Sequence, residues 1–186
     1  MPYCKFIPFL LIACFSVAAA AADKPESFGF ENAQLQVHLM SRTPNQMAAF
    51  YEARGFPKNM VETLKGYCFL TVGIRNKSRD VLWLDVDQWH FVALGGEVER
   101  MQRSRWKELW TAMAVPQAAQ STFRWTLLPE TLDFRPDEGE GGNVVLKRID
   151  TPFSLTARFA TGEDKQGGAI EVRIDGIQCA NDEEAK

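Results

Sequence analysis

Residues 68–94 read CFLTVGIRNKSRDVLWLDVDQWHFVAL, and apolar side chains recur at every second position on both sides of the polar run Asn76-Lys77-Ser78-Arg79-Asp80. A two-residue period marks a half-buried strand, and Asn, Ser and Asp favour turns, so the stretch predicts a β-hairpin. In its first arm Cys68, Leu70, Val72 and Ile74 make one continuous apolar face, while Phe69, Thr71, Gly73 and Arg75 project from the other. A strand built this way needs a second layer to cover its apolar side.

Residues 1–22 carry one lysine (Lys5), an apolar run and a closing tract of alanines, the pattern of an export signal cleaved after Ala22. A membrane anchor is the alternative, but the run is short for a span of about 20 apolar residues and has no basic stop beyond it. Leu11-Ile12-Ala13-Cys14 also resembles a bacterial lipobox, in which Cys14 would be lipidated. Against that stand its early position and the apolar residues that continue past it. The mature chain would be periplasmic or secreted, with no stable membrane span.

Loss of Lys5 with the leader makes the chain one charge more acidic than the formal −3 of the whole sequence, so nucleic acid is not an expected partner. Five tryptophans and ten of the thirteen phenylalanines supply apolar surface for one domain over residues 23–180, with a polar tail at 181–186 expected to be disordered. Once Cys4 and Cys14 leave with the leader, only Cys68 and Cys179 remain. In an oxidising compartment such a pair is most simply a disulfide. Because Cys68 opens one predicted strand and Cys179 closes the last, the bond is expected to hold those two strands side by side, antiparallel. Free buried thiols or a reactive thiol are the alternatives.

Residues 23–29 read as a lead-in, and Leu35, Val37 and Leu39 alternate with polar residues as a strand. Thr43-Pro44-Asn45-Gln46 has the form of a capping box with proline at the first helical position, opening a helix that Gly55 stops. A second short helix after Pro57 turns Met60, Val61 and Leu64 inward, so residues 44–65 form one helical insertion, set to cap an end or edge of the sheet. The second insertion, residues 104–114, takes Ser104 as its N-cap and places Trp106, Leu109, Trp110 and Met113 on one buried face. Residues 122–128 alternate as a strand, PETLDFRPDEGEGG (129–142) reads as an acidic loop, and strands follow at 143–148, 153–160 and 169–179. The fold expected is mainly β with helical insertions, an immunoglobulin-like β-sandwich, with a partly open barrel as the alternative.

Thr71-Val72-Gly73-Ile74-Arg75-Asn76-Lys77-Ser78, then Leu127-Leu128-Pro129-Glu130, Gly142-Asn143-Val144-Val145-Leu146 and Phe153-Ser154-Leu155 together resemble the pattern of small exported bacterial immunoglobulin-like domains of unknown function. The resemblance covers about half of the mature chain and consists mostly of turn chemistry. It implies fold and is silent about any site.

Chemistry-bearing patterns are sparse. The two histidines, His38 and His90, lie on alternating strands, and no Gly-x-Ser-x-Gly elbow is present. Trp83, Asp85, Asp87 and Trp89 share one face of the second hairpin arm if it is regular, with the carboxylates roughly 7 Å apart, a spacing that suits calcium or a sugar but is also that of a solvated strand edge. Asp133, Asp137, Glu138 and Glu140 lack EF-hand spacing, and no cofactor or metal motif is recognisable. Asn76-Lys77-Ser78 is read as turn chemistry. Two functions follow. One is a non-catalytic periplasmic binding or accessory domain that engages an unidentified protein or envelope component. The alternative is a carbohydrate-active or other hydrolytic enzyme using Asp85 and Asp87 with Trp83 and Trp89.

Overall fold

Residues 26–182 are described by a computed structural model; the predicted leader with Cys14, and residues 183–186 of the tail, lie outside them. In chain order these residues form β1 (Ser27–Glu31), β2 (Leu35–Arg42), α1 (Pro44–Glu52), α2 (Lys58–Lys65), β3 (Tyr67–Asn76), β4 (Leu82–Asp85), a 3-10 turn (Val86–Gln88), β5 (Trp89–Ala93), β6 (Gly96–Glu97), α3 (Arg103–Ala112), α4 (Gln117–Thr126), β7 (Thr131–Phe134), β8 (Gly139–Lys147), β9 (Phe153–Thr161) and β10 (Ala169–Ile177). Every pairing between these strands is antiparallel, and no barrel closes among the described residues. One sheet runs β1-β2-β3-β8. The other is built on β9, which pairs with β10 along one edge and with β5 and β4 along the other; β6 lies outside β5 and β7 outside β4.

The inner faces of both sheets meet in one apolar cluster. From the first sheet come Leu35, Val37, Leu39, Leu70, Val72, Ile74 and Leu146, and from the second Leu82, Leu84, Trp89, Phe91, Leu155, Phe159, Val172 and Ile174. Cys68 and Cys179 are bonded, with their Cα atoms 5.3 Å apart. The expected disulfide is present, but the strand adjacency inferred with it is not. β3 has β2 and β8 as neighbours and β10 has β9, so the bond joins one sheet to the other.

The expected hairpin is also corrected. Both edges of β3 are occupied, so β4 cannot pair with it, and the polar run 76–80 carries the chain from one sheet into the other. Asn76, fully buried, organises that crossing: its Nδ2 donates to the carbonyls of Asp80 (2.7 Å) and Phe134 (2.9 Å), and its Oδ1 accepts from Ser78 N (2.8 Å) and Oγ (2.7 Å). A buried amide with its donors and acceptor engaged carries no desolvation debt.

The helices form a second apolar cluster on the outer face of the first sheet, covering Phe69 and Val145, rather than capping its end. Thr43 makes the predicted capping box with Gln46, and Gly55 adopts a φ of 72°, the left-handed turn that stops the chain from continuing as helix. In α3 Trp106 and Trp110 are buried and stacked, ring centres 5.0 Å apart, as the predicted aromatic stripe requires. Its N-cap is Gln102 and not Ser104.

Four further expectations change. Residues 122–128 belong largely to α4 and not to a strand: Phe123 and Leu127, four apart, both turn into the helical cluster, and this outweighs the alternation of Phe123 with an exposed Trp125. Within 129–142 the chain forms β7 and opens β8, leaving residues 135–138 as the turn. The lead-in holds β1, paired to β2. In the tail, Asp182 Oδ1 accepts from Asn45 N (2.9 Å), and Asn181 accepts from Arg148.

Tyr51 joins the helices to the sheet. It is fully buried, its hydroxyl lies 2.8 Å from Thr126 Oγ1, and burial pushes its pKa up to about 12. Between pH 10 and 12 the unfolded chain gives up this proton while the folded chain retains it, so stability is whole below pH 10 and is lost as pH rises through that window, by roughly 1.4 kcal/mol per unit from this group. Tyr51→Phe is therefore expected to show a shallower loss of unfolding free energy over that pH range in urea melts. An unchanged slope would mean that the phenol is not buried.

Candidate functional site

The four residues singled out by sequence do not all come together. The 3-10 turn at Val86–Gln88 interrupts the alternation, so Trp83 and Asp85 lie on the outer side of β4 while Trp89 turns into the core. Trp83 donates its indole N–H to the Gly162 carbonyl (2.7 Å), and the Lys165 ammonium stands 4.5 Å from its ring centre. Asp85 caps the turn, its Oδ1 accepting from Asp87 N (3.1 Å). Asp87 is exposed and pairs with Arg100 Nη2 at 2.5 Å. A concavity of about 370 Å³ takes in Asp87, Trp89, His90, Glu97 and Arg100 but neither Trp83 nor Asp85. The predicted carboxylate pair beside two tryptophans is thus divided between a turn cap and a surface ion pair.

The acidic stretch is engaged locally as well. Glu138 Oε2 accepts from Arg135 N (2.8 Å) and Glu140 Oε1 from Gly141 N (2.8 Å). Among the described residues no group of three or more His, Cys, Asp or Glu side chains is placed to hold a metal ion.

A different feature lies on the outer face of the first sheet. The helices cover only one end of the outer face of the first sheet. At their boundary a polar chain crosses three strands: Arg42 Nε donates to Thr71 Oγ1 (3.0 Å), which donates to Asn143 Oδ1 (3.0 Å). Beyond it the register aligns Gly29, His38, Gly73 and Gly141 across all four strands, with Gly139 opposite Arg75 in an adjoining row. A row almost without side chains leaves a trough of about 630 Å³, with Gln36, His38, Met40 and Thr71 beside it and Arg75, Asp137 and Glu140 supplying charge of both signs.

These glycines are not equivalent. A Cβ at Gly139 would stand 2.8 Å from the Ile74 carbonyl oxygen, and one at Gly141 3.1 Å from that of Val72, so close packing of the backbone accounts for both. Gly73 has no such reason. Its φ is not positive, a Cβ there would meet nothing within 4 Å, and it interrupts the middle of a ten-residue strand. A glycine in a strand interior costs roughly 0.5–1 kcal/mol relative to alanine.

No protein-family model matches the chain, and no curated protein does. Among solved structures it is similar to a crystal structure described as a putative lipoprotein from Bacillus subtilis, at 12% identity and a TM-score of 0.44. The match covers 80% of this chain and 38% of the other, so this chain spans well under half the length of that protein.

Proposed function

We propose that the protein is an exported, non-catalytic binding domain that receives an extended polypeptide segment of a partner in the glycine-floored trough. Gly73 carries this reading: the fold gains nothing from a missing side chain there, whereas an occupant lying flat on the sheet does. The surroundings suit a peptide, since Gln36, with one amide hydrogen on Glu31, keeps its amide oxygen and second hydrogen for a backbone, and the charges are of both signs. No Trp, Tyr or Phe side chain lines the trough, which speaks for a peptide over a stacked sugar. The disulfide supports export to an oxidising compartment. Two facing antiparallel sheets joined by a disulfide support an immunoglobulin-like β-sandwich as the finer description of the fold. The hydrolytic alternative draws less support, because Asp85 and Asp87 are committed to a turn and to Arg100.

Gly73→Val tests this directly, because it fills the trough where the fold has room and favours the strand. Wild type selected against a displayed random-peptide library should enrich a peptide family, and the variant should bind the same peptides at least about tenfold more weakly, close to 1.4 kcal/mol, with no fall in melting temperature. Equal binding by the variant, or no enrichment by wild type, would remove the trough as the site.

A further inference from the structure

The negative net charge of the chain hides an uneven distribution. The two helical segments, residues 44–65 and 103–126, carry seven Lys and Arg against three Asp and Glu, which leaves 14 against 21 for the rest of the chain. The helical layer is therefore positive and the remainder negative, a separation that orients a molecule at a charged surface. Two of the three acids are engaged within their own helices: Glu62 pairs with Lys65 at 3.0 Å and Glu108 with Arg105 at 3.4 Å, leaving Glu52. Arg54, Lys58, Lys107 and Arg124 are exposed and have no ion-pair partner among the described residues.

The same layer carries the one exposed tryptophan. Trp125 is 85% exposed and belongs to neither apolar cluster. Phe123 turns inward, so Trp125, two residues on, projects from the opposite side of α4, with Ala118, Ser121 and Thr122 exposed on that helix as well. The fold gains nothing from an indole held in water, whereas a bilayer interface suits it, because an indole has an apolar body and a polar N–H and settles at the headgroup level. Three of the four unpaired cations stand on the elements around it. Arg124 precedes Trp125, and Lys107 lines the space between α3 and α4 together with Arg124. The hydrogen bond between Tyr51 and Thr126 brings the end of α1 against the end of α4, and there the Arg54 guanidinium lies 3.5 Å from the ring centre of the half-buried Phe50.

We infer that the helical layer rests on an anionic phospholipid surface, with Trp125 at the headgroup level and Arg54, Lys107 and Arg124 over the lipid phosphates. Exposed aromatic and basic side chains on one helical layer are what such a surface recognises, the first through the acyl boundary and the second through the phosphates. Export, predicted from residues 1–22, brings the chain to membranes of this kind. The inference does not rest on the trough, which lies on the part of the sheet that the helices leave uncovered.

Sedimentation of the mature protein with vesicles of phosphatidylcholine, with and without one third phosphatidylglycerol, tests this. Binding to the anionic vesicles should be at least about tenfold tighter than to the neutral ones, and about 1 M salt, which screens charges beyond about 3 Å, should remove most of that difference. Arg54→Gln/Lys107→Gln/Arg124→Gln should lose at least about tenfold, whereas Arg79→Gln/Arg158→Gln/Arg173→Gln, which changes the net charge equally at exposed positions outside the helices, should bind as wild type does. Both variants should keep the wild-type circular dichroism spectrum. Brominated lipid should quench the tryptophan fluorescence of wild type, and Trp125→Phe should lose that quenching. Equal binding to neutral and anionic vesicles, equal loss in the two triple variants, quenching that persists in Trp125→Phe, or no vesicle binding would overturn the assignment; the last, with capture of an acidic protein instead, would make the layer a protein interface.

Discussion

Removing the Cys68–Cys179 bond is expected to lower the unfolding free energy by about 4 to 5 kcal/mol, the largest single effect anticipated in this protein. The bond spans a sequence separation of 111 residues, and in the chain-entropy view a loop of that length gives up much of its freedom in the unfolded state when it is closed. Its position adds to this. It ties a strand of the first sheet to the segment that follows β10 in the second, so it holds together two layers otherwise joined by apolar contacts and chain crossings. Urea melts of the mature protein with and without reductant, and of the Cys68→Ala/Cys179→Ala double variant, measure the effect. The oxidised protein should show no titratable thiol. A difference below about 1 kcal/mol between oxidised and reduced forms would mean that the sheets do not depend on the staple.

Trp110→Ala should follow closely, destabilising the fold by roughly 3 to 5 kcal/mol, as truncation of a large buried aromatic does. Trp110 is 1% exposed and packs against both its stacked neighbour Trp106, 5.0 Å away, and Phe123, 5.4 Å away. Its loss opens a cavity at the junction of α3 and α4, and the stiff indole and phenyl rings around it have little freedom to close the gap. A shift below about 1 kcal/mol in denaturant melts would show that the helical cluster relaxes around the hole. Tyr51, in the same cluster, joins α1 to α4 through Thr126 and packs against Phe69 of β3, so the two variants probe different parts of one packing unit.

The distance along the chain over which an interaction acts decides how much of this was legible in the sequence. The capping box of Thr43 and Gln46, the inward face of α2 and the alternate core positions of β3 depend on residues within a turn or a strand, and each appears where the pattern puts it. The cysteine pair was legible by elimination. Strand partnership was not, because alternation says which face of a strand is buried and nothing about which strand lies beside it. That is why the stretch 68–94 reads as a hairpin and folds as a crossing between sheets. α4 was misread because Phe123, Trp125 and Leu127 fit a two-residue period, whereas the structure uses the four-residue spacing of Phe123 and Leu127 and leaves Trp125 85% exposed. The Asp85 and Asp87 pairing failed at a three-residue 3-10 turn with no strong sequence mark. Gly73 was visible as a lone glycine in a strand, a signal of close backbone approach, but its alignment with Gly29 and Gly141 exists only through cross-strand register.

The claim that the trough is the binding surface is tested most directly by site-specific photo-crosslinking in the exported protein. A benzophenone side chain in place of the exposed Arg75, beside the trough, is compared with the same group in place of Arg158, an exposed residue of β9 in the other sheet. Irradiation should yield a discrete adduct from position 75 and none from position 158, mass spectrometry of the adduct should find an extended segment of the partner, and Gly73→Val should abolish it. Adducts of equal yield from both positions, or an adduct at 75 that survives Gly73→Val, would contradict the account.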